Sequence, residues 1–196
     1  LASHFIGVND EEVGALATRH LAEIGCKRIA HIGGSELSPV QGRMEGYKRT
    51  LSKLGLAADP ELIYNVDHVE ELGDATGYQA TTKLLKLHPR PDAIFCYNDA
   101  IAYGAMASVL DVGLRVPEDV AIVGCGNLLY NKFLKIPLSS IDQQTAAIGQ
   151  KAGKLALQLI EAGEPIAPQR ILLEPKLVIR KSTQRKSEQN PRAARA

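Results

Sequence analysis

Four polar side chains stand where a strand-like run gives way to a helix or a loop: Arg43, Asn98, Asn127 and Gln143. Their types suit the grip of a small polar molecule better than bond-making chemistry. Arg43 falls in the first turns of a helix that follows a strand. A guanidinium there holds hydroxyls, carboxylates or phosphates in a planar fork, or is a plain surface arginine. Asn98 lies directly at a strand-to-helix junction. Its amide can both donate and accept toward a sugar or a purine, and it can equally cap the helix. Asn127 and Gln143 offer the same amide chemistry further along the chain.

The patterns that announce catalysis are missing. No GxSxG, HExxH, phosphate-cradling lysine loop or GxGxxG occurs, and Gly124-Cys125-Gly126 follows a strand without the third glycine that would open a dinucleotide-binding helix. His4, His20, His31, His68 and His88 are scattered; His31 reads as a core residue of a buried strand and His20 as packed at the edge of a helix's apolar face. Cys26, Cys96 and Cys125 are odd in number, far apart and without metal-ligand spacing. They read as small core hydrophobes in a reduced, cytoplasmic compartment, and no cofactor or metal is expected. Cys96 and Cys125 do stand at strand ends, where nucleophiles are often displayed, but no base occupies a predictable place beside either.

The elements that must hold these side chains alternate. Asn9 can cap a first helix, with Glu12 closing a capping box; Val13, Leu16, Ala17, Leu21 and Ile24 form its apolar face, and Gly25 ends it. Arg28 to Gly34 then reads as a buried strand. Ser38-Pro39 starts a second helix with Val40, Met44, Tyr47, Leu51 and Leu54 on one face, stopped at Gly55. Further strands are expected at 62–66, 93–97 and 120–124, with helices from near Glu70 to Leu87 and from Asn98 to Gly113. A short strand at 138–141, a helix over Thr145 to Glu161 and closing strands at 171–173 and 177–179 complete the folded part. From Arg180 the chain is polar and basic, and residues 184–196 are expected to be a disordered tail.

Strands separated by helices demand right-handed crossovers and a parallel sheet, here with helices on both faces. Ligands of such sheets bind beyond the carboxyl ends of the strands, where the four side chains named above belong. Apolar residues are 45% of the 196, enough for a sizeable core, while 23 Lys and Arg against 22 Asp and Glu leave no basic footprint for nucleic acid over the chain as a whole. No apolar run is long enough to span a membrane. The sequence opens on strand-like residues without an initiator Met or a signal peptide, which reads as a cut chain.

Taken in order, several segments resemble the lac repressor–galactose repressor family of bacterial transcription regulators. They are residues 7–12 (GVNDEE), 25–34 (GCKRIAHIGG), 43–47 (RMEGY), 98–105 (NDAIAYGA), 113–120 (GLRVPEDV), 137–141 (PLSSI) and 172–183 (LLEPKLVIRKST). The resemblance implies a type I periplasmic-binding-protein-like α/β core without its helix-turn-helix headpiece. Residues 1–8 would end the N-terminal lobe, 9–142 form the C-terminal lobe, 143–165 return to the first lobe and 166–183 supply the closing strands. It further implies an effector cleft between the lobes, lined by Arg43, Asn98, Gln143, Leu72, Gly126 and Asn127. The family's aromatic ring is absent at Leu72, and its strand-end aromatic and aspartate are replaced by Cys125 and Gly126, which argues against an ordinary sugar. Tyr103 and Leu134 would lie in a homodimer interface. The expected effector is a sugar, nucleoside or acid, and operator DNA would be met only through the headpiece.

Two other readings share parts of this pattern. A periplasmic sugar-binding protein has the same fold but expects a signal peptide and a three-stranded hinge; residues 115–119 and the closing strands favour the regulator. An α/β enzyme lacks a motif to support it. With the first lobe largely missing, the apolar face of the 145–161 helix has lost its partner, so the isolated chain is expected to self-associate.

Overall fold

The computed structural model describes residues 3–34, 38–66, 73–162 and 166–185. Among the described residues, eight strands and five α-helices run in chain order: β1 Phe5–Val8, α1 Asp10–Glu23, β2 Ile29–Gly34, α2 Ser38–Lys53, β3 Ile63–Val66, α3 Gly73–Leu84, β4 Ala93–Cys96, α4 Asp99–Asp111, β5 Ala121–Cys125, β6 Ser139–Asp142, α5 Thr145–Glu161, β7 Arg170–Leu173 and β8 Lys176–Val178.

Six strands form one sheet in the order β3-β2-β4-β5-β6-β8. All neighbours are parallel except β8, which runs antiparallel to β6. β2, β4 and β5 are buried along their whole length, the signature of strands covered on both faces. Alternation sorts their side chains. Ile94, Cys96 and Ile122 pack with α3 and α4, whereas Phe95, Val123 and Ile141 pack with α1 and α2. The remaining strands, β1 and β7, make a separate parallel pair, Phe5 opposite Arg170 through Val8 opposite Leu173, against which α5 rests.

One close approach sets the geometry of the binding region. A Cβ at Gly14 would collide with the Arg43 carbonyl and one at Gly46 with that of Glu11, so α1 and α2 cross backbone to backbone. Asp10, at the start of α1, is thereby brought beside Arg43 in α2.

Several expectations need correction. The capping box is only half made. Asn9 Oδ1 accepts from the Glu12 N–H at 3.2 Å, but the Asn9 N–H goes to Leu173 O and the Glu12 carboxylate accepts from Arg19 instead. Of the two closing strands, both present, β7 joins β1 and β8 joins the large sheet. α2 includes Ser38 rather than following it, and α3 ends at Leu84. The expected starts of that helix near Glu70, and Leu72 itself, lie outside the described residues.

The tail begins later than its polarity suggests. Ser182 and Thr183 are buried, in a short 3₁₀ turn over Lys181–Thr183. The Ser139 N–H donates to Ser182 Oγ at 2.8 Å, and that hydroxyl donates to Ile122 O at 2.6 Å. Arg185 donates to the carbonyls of Pro117 and Asp92, so residues 184 and 185 are anchored rather than disordered. Residues 186–196 lie outside the described part.

Candidate functional site

Arg43 is the centre of the site. It is 4% exposed, and three separate parts of the chain accept hydrogen bonds from its guanidinium. Nε donates to Asp10 Oδ1 at 2.9 Å, Nη1 to the Tyr97 carbonyl at 2.6 Å and Nη2 to Gln143 Oε1 at 2.9 Å. The guanidinium also lies 4.4 Å from the centroid of the Tyr97 ring, a cation–π contact. Each partner is placed by a strand end: Asp10 follows β1, Tyr97 follows β4 and Gln143 follows β6.

Beside them is a cleft of about 370 Å³. Asp10, Arg43, Tyr97, Asn98 and Gln143 supply its polar groups, with Val8, Pro39 and Ile148 among its apolar walls. Asn98 does cap α4: its Oδ1 accepts from the Ile101 N–H at 2.8 Å. That bond uses one of the two lone pairs of the side-chain oxygen. Burial pushes the Asp10 carboxyl above its ordinary range, and the Arg43 charge pulls it back. The Asp10–Arg43 pair leaves the cleft close to neutral at this point.

The structure divides the expected site. Arg43, Asn98 and Gln143 come together in the cleft. Gly126 and Asn127 line a separate depression of about 340 Å³ with Asp142, Gln144 and Lys176. Asn127 is held on three sides: its N–H donates to Ser140 Oγ, its Nδ2 to Asp142 Oδ2, and its Oδ1 accepts from Arg180. Asp10 and Tyr97 are additions. Asp10 reads in the sequence only as a helix-opening acid, and Tyr97 as the last residue of a strand.

The cysteines carry no sign of reactivity. Burial pushes the Cys125 thiol up to about 12, against the pull of Arg43, and pushes Cys96 up further. A thiol so protonated is a packing group rather than a nucleophile. Tyr103 donates to Asn131 Oδ1 at 2.6 Å, and Leu134 packs partly buried against the α3–α4 side of the core. Between β5 and β6, however, Leu129, Tyr130 and Phe133 are 66%, 71% and 70% exposed, an apolar hook beside Tyr103.

Among known proteins, residues 18–183 match the model of the periplasmic binding protein-like domain. The chain is 36% identical over 176 residues to the HTH-type transcriptional repressor PurR of Actinobacillus pleuropneumoniae serotype 3, covering 89% of this chain and 51% of that protein. It is 34% identical over 179 residues to the PurR repressor of Mannheimia succiniciproducens, covering 90% and 52%. Among solved structures, the transcriptional regulator CelR–cellobiose complex superimposes with a TM-score of 0.84 at 30% identity, over 92% of this chain and 54% of that one. A LacI-family regulatory protein from Chloroflexus aggregans gives 0.81 at 31%, over 89% and 62%. The chain spans about half the length of the curated relatives it matches.

Proposed function

This chain belongs to the periplasmic-binding-protein-like domain family, in the form carried by the lac repressor–galactose repressor regulators, and from that premise we propose that it senses a small effector. The relatives are transcriptional repressors rather than enzymes. The observation that carries the reading is the convergence of Arg43, Asp10, Asn98 and Gln143 from four segments onto one cleft. Buried donors with fixed directions read hydroxyls and amides well, because a ligand lacking the matching group leaves them unpaired.

The effector is an uncharged polar molecule. Asp10 already neutralises Arg43 at 2.9 Å, so a carboxylate or phosphate would meet no spare positive charge there. That narrows the sugar, nucleoside or acid expected from the sequence to the first two. The CelR structure holds cellobiose, so a neutral sugar is one probe, but Cys125 and Gly126 in place of the family's aromatic and aspartate argue against an ordinary sugar and put nucleosides beside it.

In this reading the cleft opens toward a first lobe, of which β1, β7 and α5 are the part present here. Effector binding draws the lobes together, moves paired subunits and changes the half-site spacing of their DNA-reading headpieces. The subunits pair through the hook at residues 128–134 together with Tyr103. No described helix is long and apolar enough to cross a membrane.

A thermal-shift screen of uncharged sugars, nucleosides and small acids tests the reading, since a ligand of the native state raises Tm. An uncharged compound should raise it, and Arg43→Ala should reduce that rise at equal ligand concentration. A rise with acids alone would overturn the neutral-effector reading. The coding sequence upstream of the Leu1 codon tests the alternative of a periplasmic sugar-binding protein: a helix-turn-helix supports the regulator, a signal peptide the transport protein.

A further inference from the structure

Asn98 and Asp99 are consecutive but serve different places. Asn98 caps α4 and lines the cleft. Asp99 is 1% exposed and belongs to a buried hydrogen-bond network under the apolar hook. Its Oδ1 accepts from Ser140 Oγ at 2.6 Å. Its Oδ2 accepts from the Leu128 N–H at 2.9 Å and from Asn131 Nδ2 at 2.8 Å.

The network reaches further on both sides. Ser140 Oγ accepts the Asn127 N–H at 2.9 Å, and Asn131 Oδ1 accepts from the Tyr103 hydroxyl at 2.6 Å. Asn131 is fully buried although its neighbours Leu129, Tyr130 and Phe133 are exposed. The hook therefore hangs on Asp99 by one backbone and one side-chain bond. The carboxylate is also pressed against β5: a Cβ at Gly124 would overlap Asp99 Oδ1, so the strand itself leaves the space that the carboxylate fills.

We propose that Asp99 is the positioning residue that ties the first turn of α4, at the cleft, to the exposed hook at residues 128–134. A buried carboxylate with all its partners made cannot surrender one without leaving a charge or a donor unsatisfied. A shift of the α4 N-terminus when Asn98 engages a ligand must therefore carry the hook with it. The proposal deepens the sensing role above. It uses the reading of the hook as the subunit contact only for the consequence, not for the link.

Hydrogen exchange read by mass spectrometry tests the link on the full chain without a ligand. The variants are Asn98→Ala at the cleft, Asn131→Ala at the hook and the two combined. Asn98→Ala should speed exchange across residues 127–134, and Asn131→Ala should speed it in the first turn of α4. The effect of Asn98→Ala should be about fivefold, the equilibrium factor for one lost hydrogen bond, and that of Asn131→Ala at least as large, since its bonds to Asp99 and from Tyr103 both go. The double variant should show less than the product of the two, because both act through Asp99. A merely structural Asp99 predicts changes confined to the mutated segment and multiplying in the double variant; that result would overturn the proposal. Ser140→Ala, which removes the bond to Asp99 and the bond from the Asn127 N–H but leaves the carboxylate, should weaken the effect of Asn98→Ala on residues 128–134 if the link runs through Asp99, and leave it intact if not. Sedimentation equilibrium on the same proteins judges the subunit contact separately. A monomeric wild type that keeps the exchange link would remove the dimer reading alone.

Discussion

Arg43 Nη2 and Gln143 Oε1 meet at 2.9 Å across 100 residues of sequence. The bond joins the second turn of α2 to the loop between β6 and α5, the place where the chain leaves the large sheet for the β1–β7 pair. One guanidinium thus holds the cleft together from both sides. Removing it should have two separable effects, on stability and on binding.

Arg43→Ala deletes three hydrogen bonds and leaves Asp10 as a half-buried carboxylate with no cation. We expect a loss of about 3 kcal/mol in unfolding free energy, the scale of breaking a buried ion pair. Denaturant titration checks it. Arg43→Lys should recover only part, since a point charge cannot serve Asp10, Tyr97 O and Gln143 at once.

Asn98 separates capping from recognition. Serine caps about as well as asparagine, so Asn98→Ser should leave Tm nearly unchanged, whereas Asn98→Ala should cost about 1 kcal/mol. Both remove the amide that faces the cleft, so both should weaken effector binding. Binding retained in Asn98→Ser would assign this residue to the helix cap alone.

Stability should fall in acid through His31. Its ring is fully buried, stacked 4.6 Å from Phe95, and Nδ1 donates to Phe95 O at 2.9 Å. Nε2 has no partner. Burial holds its folded pKa down at about 4, against an ordinary value of 6.5. Between these values the unfolded chain binds more protons than the native one. The native state is therefore fully favoured above pH 6.5 and loses that advantage as pH falls toward 4. His20, also lowered by burial, acts in the same direction. Tm measured from pH 7 to pH 4 should decline, and His31→Phe should flatten part of the decline. An unchanged slope in that variant would remove His31 from the account.

The hook and α5 present two apolar surfaces. On α5 only Leu155 is buried, while Leu157 and Ile160 are 60% and 78% exposed. Light scattering should find the isolated chain self-associated. Tyr130→Asp with Phe133→Asp should reduce the association with little change in Tm, because both side chains stand largely in solvent. A monodisperse wild-type monomer would contradict the expectation for both surfaces.

Much of this was legible in the residues, for identifiable reasons. Apolar runs locate strand ends, and strand ends locate Arg43, Asn98 and Gln143. Helix boundaries followed from glycines: Gly25, Gly55 and Gly113 all adopt positive φ where a helix stops. Asp10 was not legible as a site residue, because its contact depends on how closely Gly14 and Gly46 let two helices approach. The Arg180–Arg185 segment misleads for a different reason. Its Ser182 and Thr183 are buried, and it is held by hydrogen bonds to Ser139, Ile122 and Leu138 rather than by apolar periodicity, so its composition resembles a tail.

The central claim is that Arg43, Asn98 and Gln143 form one effector site. Titration calorimetry tests it most directly, using the uncharged sugar or nucleoside that gives the largest thermal shift. Removing a hydrogen bond to a charged group costs about 1.5–3 kcal/mol, so Arg43→Ala should weaken Kd by about tenfold or more. Gln143→Ala should weaken it less, and the double variant by less than the product of the two, since Gln143 orients Arg43. A Kd unchanged in Arg43→Ala would contradict the account.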